Sequence, residues 1–115
     1  MSPFGTGKQG ETLAAAALTG AGLHIIEKNF RSRRGEVDII ARDGEFLVFI
    51  EVKSWAHYDI GDLEKSITRK KQERIIETAK YFMSLHREYS DMKVRFDIIF
   101  IGNKGIKHLE SAFVE

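Results

Sequence analysis

Apolar residues along the 115-residue chain alternate between a helical and a strand spacing. From about Gly7 to Ala21, the positions Leu13, Ala14, Ala17, Leu18 and Ala21 recur at three- and four-residue steps, and Gly20 and Gly22 mark the end. This predicts a first helix. Leu23 to Phe30 reads as a strand. Gly35 to Arg42 is a second, with Val37, Ile39 and Ile40 supplying β-branched content. Asp43-Gly44 is a two-residue hairpin signal, and Glu45 to Lys53 follows as a third strand with Val48, Ile50 and Val52 on one face. After a polar loop from Ser54 to about Asp62, the stripe Leu63, Ile67, Ile75, Ala79 and Phe82 predicts a second helix running to about His86. Asp62, Ser66 and Thr68 all fit its N-cap. Lys93 to Ile101 is a fourth strand, Gly102-Asn103-Lys104-Gly105 a turn, and Ile106 to Phe113 a fifth strand. The order α-β-β-β-α-β-β describes an α/β fold in which helices pack on one sheet.

Composition narrows the classes. A chain of this length forms one domain, here residues 1–115 with 1–6 as a flexible N-terminus, and it buries enough surface to fold without a disulfide or metal staple. With no cysteine, thiolate catalysis and thiolate-bound zinc are excluded. No apolar run reaches the roughly 18–20 residues of a membrane span, and the first residues lack the basic and hydrophobic regions of a secretory signal. A cytoplasmic location is the expectation. Lys and Arg number 18 against 17 Asp and Glu, a net charge of +1, so any contact with nucleic acid must come from local concentrations of positive charge. Two dense runs exist, Arg31-Ser32-Arg33-Arg34 and Arg69-Lys70-Lys71. Arg33, Arg34, Lys70 and Lys71 are therefore the candidate phosphate contacts, against the plainer reading of a solvated loop and a solvated helix face.

The informative chemistry lies on the central hairpin. With Asp43-Gly44 as its loop, Arg42 faces Glu45 and Asp38 faces Phe49, which makes Glu51 a diagonal neighbour of Asp38 on the same face. Such neighbours lie roughly 7–8 Å apart by their backbones, close enough for two carboxylates to hold one hard cation. Lys53 shares that face, with Arg34 across from it. Two acidic oxygens bind Mg²⁺ or Mn²⁺ while leaving water positions open. An ion so held acidifies a water and neutralises phosphate charge, and a lysine beside it stabilises charge building on a phosphorus centre. The plainer alternative is a surface hairpin with cross-strand salt bridges. The apolar run Phe46 to Ile50 argues against it, because charges ending such a strand are not ordinary solvent-facing alternation.

Three further residues bear on the reading. Glu11 falls on a helical stripe with Ala14, Ala15 and Leu18, which puts it on the packed side of the first helix. Lys71 interrupts the apolar stripe of the second helix, either to reach a phosphate or to lay its stem along apolar surface. Asp97, within the apolar strand Val94 to Ile101, reads as a satisfied structural acid.

Taken in order, Glu11, Asp38 and Glu51-Val52-Lys53 resemble the PD-(D/E)xK pattern of the restriction-endonuclease-like superfamily. Within it the chain resembles the YraN-like family. Gly10-Glu11 with its alanine-rich helix, Asn29-Phe30-Arg31, Gly35-Glu36-Val37-Asp38-Ile39-Ile40, Phe49-Ile50-Glu51-Val52-Lys53, the Lys71 helix and Arg95-Phe96-Asp97 carry that likeness. The similarity extends from about Gly7 to Phe113. It implies a Holliday-junction-resolvase-like fold with a mixed sheet of about five strands flanked by two helices. It also implies a metal site of Glu11, Asp38, Glu51 and the Val52 carbonyl for Mg²⁺ or Mn²⁺, catalytic roles for Asp38, Glu51 and Lys53, and a homodimer. One departure stands: the family pattern usually continues past the lysine with a small residue and an arginine, and this chain has Ser54 and Trp55. A ring able to stack on a base thus replaces a phosphate contact. The expected function is metal-dependent hydrolysis of DNA phosphodiesters, branched DNA included. The alternative is a catalytically silent nucleic-acid-binding module on the same fold.

Overall fold

The computed structural model describes residues 8–54, 67–102 and 105–115. Helix α1 (Lys8–Gly20) is followed by strands β1 (His24–Arg31), β2 (Glu36–Asp43) and β3 (Phe46–Ser54). Helix α2 (Arg69–Leu85), a 3-10 turn (Arg87–Tyr89) and strands β4 (Lys93–Gly102) and β5 (Gly105–Phe113) complete the described elements. The strands form one sheet in the order β1-β2-β3-β4-β5. Its pairs are antiparallel except β3 with β4, which run parallel, and α2 lies on the crossover that a parallel pair requires. The sheet is therefore mixed and the α-β-β-β-α-β-β order is the expected one. Thr68 caps α2, its side-chain oxygen accepting from the Lys71 N–H at 3.1 Å. The other cap candidates Asp62 and Ser66, together with Leu63, Trp55 and the 1–6 stretch, lie outside the described residues. Among those described, no helix is long and apolar enough to cross a membrane.

β3 runs through the centre, buried from Leu47 to Val52. Its Val48, Ile50 and Val52 join Ala14, Ala15 and Leu18 of α1, whereas Leu47 and Phe49 join Ile75, Ala79 and Phe82 of α2. A strand covered on both faces is apolar at consecutive positions, which explains the run Phe46 to Ile50.

The hairpin differs from expectation in register. Asp43 pairs with Phe46, so the loop is Gly44-Glu45, and the ladder runs Arg42 to Leu47, Ile40 to Phe49 and Ile39 to Ile50. An Asp43-Gly44 loop of type I′ needs positive φ at both residues. The turn that forms places only Gly44 in that region, at φ +59, where glycine carries no Cβ penalty. The pairing is displaced by two residues, and only an odd displacement moves side chains to the other face. Asp38 and Glu51 therefore keep a common face, but Asp38 is level with Glu51 rather than with Phe49.

Past Ile39 and Ile50 the two strands part. Glu36 and Val37 continue along β1, opposite Arg31 and Phe30, while Glu51–Ser54 continue along β4, opposite Ile98–Ile101. The result is a fork in the sheet. It also separates Arg34 from Lys53, which were expected across from each other: Lys53 pairs with Phe100, and Arg34 lies in the bend between β1 and β2.

Candidate active site

The fork is where the acids meet. Asp38 stands in its crotch, and in place of a ladder bond its Oδ2 accepts the Val52 N–H at 2.8 Å. The Glu51 carboxyl lies beside that of Asp38 and is itself buried, with 6% of its surface exposed. Glu11, equally inaccessible on the packed side of α1, adds its negative field to Asp38. Burial, then the Glu51 charge, pushes the Asp38 carboxyl up from 3.8 to about 8; the Val52 N–H opposes the rise and Glu11 adds to it. Two carboxyl groups brought this close inside a protein resist ionising together, and a divalent cation between them removes the conflict. Their hard oxygen donors fit Mg²⁺ or Mn²⁺. Among the described residues, no group of three or more Asp, Glu or His side chains is placed to hold a metal ion by itself. Glu51 Oε2 is engaged by Lys71 Nζ at 2.6 Å. Lys53 follows two residues beyond Glu51, half-buried and on the same side of the strand by alternation.

Lys71 was grouped by sequence with Arg33, Arg34 and Lys70, and the fold divides them. Arg33, Arg34 and Lys70 line one open groove with Glu73, Arg74 and Glu77, whereas Lys71 turns to the acids. The groove exists because the bend after β1 is fastened to α2. Ser32 Oγ lies 3.0 Å from Thr78 Oγ1 and accepts from the Arg34 N–H at 3.1 Å, and the buried Thr78 hydroxyl donates to the Arg74 carbonyl. Gly35 permits the approach, since a Cβ there would lie 3.3 Å from Arg74 Cβ. Arg74 is the groove residue that sequence reasoning passed over. The available signal was its position four residues after Lys70, on the same helix face.

The sequence profile of the family described as "Uncharacterised protein family UPF0102" matches residues 10–101. The chain belongs to that family. The YraN-like resemblance is thereby borne out. This UPF0102 chain is 46% identical over 114 residues to the UPF0102 protein of Thermodesulfovibrio yellowstonii, an alignment covering 98% of the chain and 99% of the relative. It is 44% identical to the UPF0102 protein of Treponema denticola, with 93% of each covered, and 46% identical to that of Persephonella marina, with 93% and 91% covered. The matched span contains the fork acids, the groove and, of a second polar cluster, Arg95 and Asp97.

That second cluster in the UPF0102 chain surrounds Asp97, which is fully buried. The Arg95 guanidinium donates to both carboxylate oxygens at 3.0–3.2 Å, His108 Nε2 lies 2.7 Å from Oδ2, and the Ser111 N–H donates to Oδ1 at 3.0 Å. Arg95 also reaches Asp43 at 3.0 Å and lies over the Phe46 ring. Burial alone would raise the Asp97 pKa; His108, Arg95 and the Ser111 N–H more than offset it and hold the group below its ordinary value. Asp97 is thus the satisfied structural acid expected from its setting.

The raised Asp38 pKa has a consequence for stability. A carboxyl whose folded pKa exceeds its unfolded one contributes stability that is complete at low pH and is lost as pH rises through the folded value. With divalent cations removed by chelation, thermal unfolding is expected at progressively lower temperature as pH rises from about 4 toward about 8. Discounted for solvent screening, the loss is on the order of 2 kcal/mol. Asp38→Asn keeps an acceptor for the Val52 N–H without the charge, so its stability relative to wild type should grow with pH. A difference independent of pH counts against this account.

Proposed function

We propose that this protein is a divalent-metal-dependent endonuclease that hydrolyses DNA phosphodiesters. The observation that carries the reading is the fork, which sets the Asp38 and Glu51 carboxyl groups side by side, with Glu11 adding its negative field and Lys53 two residues beyond Glu51. Asp38, Glu51, Glu11 and the Val52 carbonyl are the groups that would hold Mg²⁺ or Mn²⁺. Such a cation, when bound, acidifies a water and neutralises charge on a phosphate oxygen. Lys53 orients the attacking water and offsets the charge that builds on the phosphate in the transition state. Arg33, Arg34, Lys70 and Arg74 bind the sugar-phosphate backbone and fix the position of the strand. Cutting both strands of a branched substrate takes two such sites, which a homodimer supplies.

The deciding experiment incubates the protein with supercoiled plasmid and with a four-way junction in Mg²⁺, in Mn²⁺ and in chelator. Cleavage in the first two alone supports the proposal. Mn²⁺ binding without cleavage of either substrate transfers the conclusion to a non-catalytic DNA-binding module. Binding also makes a prediction about salt. Four cations contacting phosphates release about 0.9 counterion each, so affinity is expected to fall about 10²-fold between roughly 50 and 200 mM salt. Arg34→Gln should reduce the slope of log affinity against log salt by about one unit. Affinity insensitive to salt removes nucleic acid as the partner.

A further inference from the structure

We propose that Lys71 is a built-in counter-ion for the acid site, occupying Glu51 until a divalent cation displaces it toward the basic groove. This rests on the metal-dependent reading above. Lys71 Nζ lies 2.6 Å from Glu51 Oε2, and the Glu51 side chain is 7% exposed against 46% for Lys71. A carboxylate that inaccessible needs a positive partner, and the half-exposed lysine has room to leave. A cation coordinated by the same oxygen and an ammonium in contact with it exclude each other by size and charge.

The setting of Lys71 supports this role. Arg69, Lys70 and Lys71 form the first turn of α2, which carries no acidic residue. Positive charge at a helix N-terminus opposes the helix dipole, so this turn is not built for helix stability. Two of its cations connect the acids to the groove: Lys71 faces Glu51, and the adjacent Lys70 lines the groove with Arg33 and Arg34. Displacement of Lys71 from Glu51 therefore adds a positive charge beside the phosphate-binding residues. Metal loading and strand binding become linked, and by reciprocity a bound strand tightens the metal.

The test titrates Mn²⁺ alone into wild type, Lys71→Gln and Lys70→Gln by calorimetry, at mildly alkaline pH where protons compete least for the carboxylates. Lys71→Gln is expected to bind Mn²⁺ about tenfold more tightly than wild type because its internal competitor is gone. Lys70→Gln, which lacks the Glu51 contact, is expected to match wild type. The increase in unfolding temperature on adding Mn²⁺ is likewise expected to be larger for Lys71→Gln, and this readout also establishes that the variant folds. In DNA binding with Ca²⁺, the wild-type salt slope should steepen by about one charge relative to metal-free protein, and that of Lys71→Gln should not. Equal or weaker Mn²⁺ binding by Lys71→Gln overturns the inference while leaving the metal site standing. No Mn²⁺ binding by any of the three proteins removes the metal-dependent reading itself, and this inference with it.

Discussion

Asp38→Asn is expected to abolish both Mn²⁺ binding and DNA cleavage, whereas Lys53→Met is expected to retain Mn²⁺ and lose about 10²–10³ in cleavage rate. The two substitutions separate because the side chains have different tasks. Asp38 holds its place by accepting the Val52 N–H at 2.8 Å, a bond that the Asn oxygen preserves. The variant therefore keeps the fork and loses only the charge that attracts a cation. In chelator, DNA binding by Asp38→Asn should be no weaker than wild type, and stronger above about pH 8, where the wild-type carboxyl is ionised and repels phosphate. Lys53 acts on the water and on charge building at the phosphate, so its loss leaves the carboxylates intact. Ca²⁺, whose looser coordination positions a water less strictly, is expected to support DNA binding without cleavage in all forms that retain the site. Cleavage that survives both substitutions belongs to another site or to another protein in the preparation, and the assignment of Asp38 and Lys53 would then be abandoned.

The second large effect concerns stability. Asp97→Ala is expected to cost about 3–5 kcal/mol, as breaking a buried ion pair from one side does. Arg95, at 8% exposure, would lose its bidentate partner, and the His108 ring nitrogen and the Ser111 N–H would lose their acceptor. Domains of this size are stable by only about 5–15 kcal/mol, so the loss is a large share of the total. Asp97→Asn keeps an acceptor for Ser111 without a charge for Arg95 and should fall between. Urea unfolding followed by circular dichroism gives the comparison: the midpoint moves while the slope, which tracks surface exposed, stays constant. A loss below about 1 kcal/mol would place this network with exposed ion pairs and show that Asp43, at 3.0 Å, and Glu110, at 3.6 Å, suffice for Arg95. Because the cluster is separate from the fork acids, Asp97→Asn protein that remains folded should retain Mn²⁺ binding.

Much of the fold was legible in the sequence because the relevant preferences are local. The three- and four-residue recurrence of Leu13, Ala14, Ala17 and Leu18 and the β-branched runs of β2 and β3 depend on side-chain direction along a single element. The placement of Asp38 and Glu51 on one face was also recoverable, since it depends only on odd or even displacement. It survived a hairpin read two residues out of register. The register itself was not recoverable, because two adjacent two-residue loops compete and the outcome turns on whether glycine alone can take the positive φ. The 3-10 turn at Arg87–Tyr89 likewise left no periodic trace.

What the sequence by itself determined is therefore the order of elements, the continuous apolar run of β3, and the acids and cations available to a site. The tertiary structure decided how those groups are combined. The parting of β2 from β3 places Asp38 against the Val52 N–H, and it arises because each strand follows a different neighbour, β1 or β4. The division of Lys71 from Lys70 depends on how α2 lies over the fork, and the recruitment of Arg74 depends on the Ser32–Thr78 bond that fastens the bend to the helix. Adjacent residues of one helical turn point in directions about 100° apart. Which lysine meets a buried carboxylate and which meets solvent is thus set by the docking of the whole helix on the sheet, a long-range property that no local pattern of residues encodes.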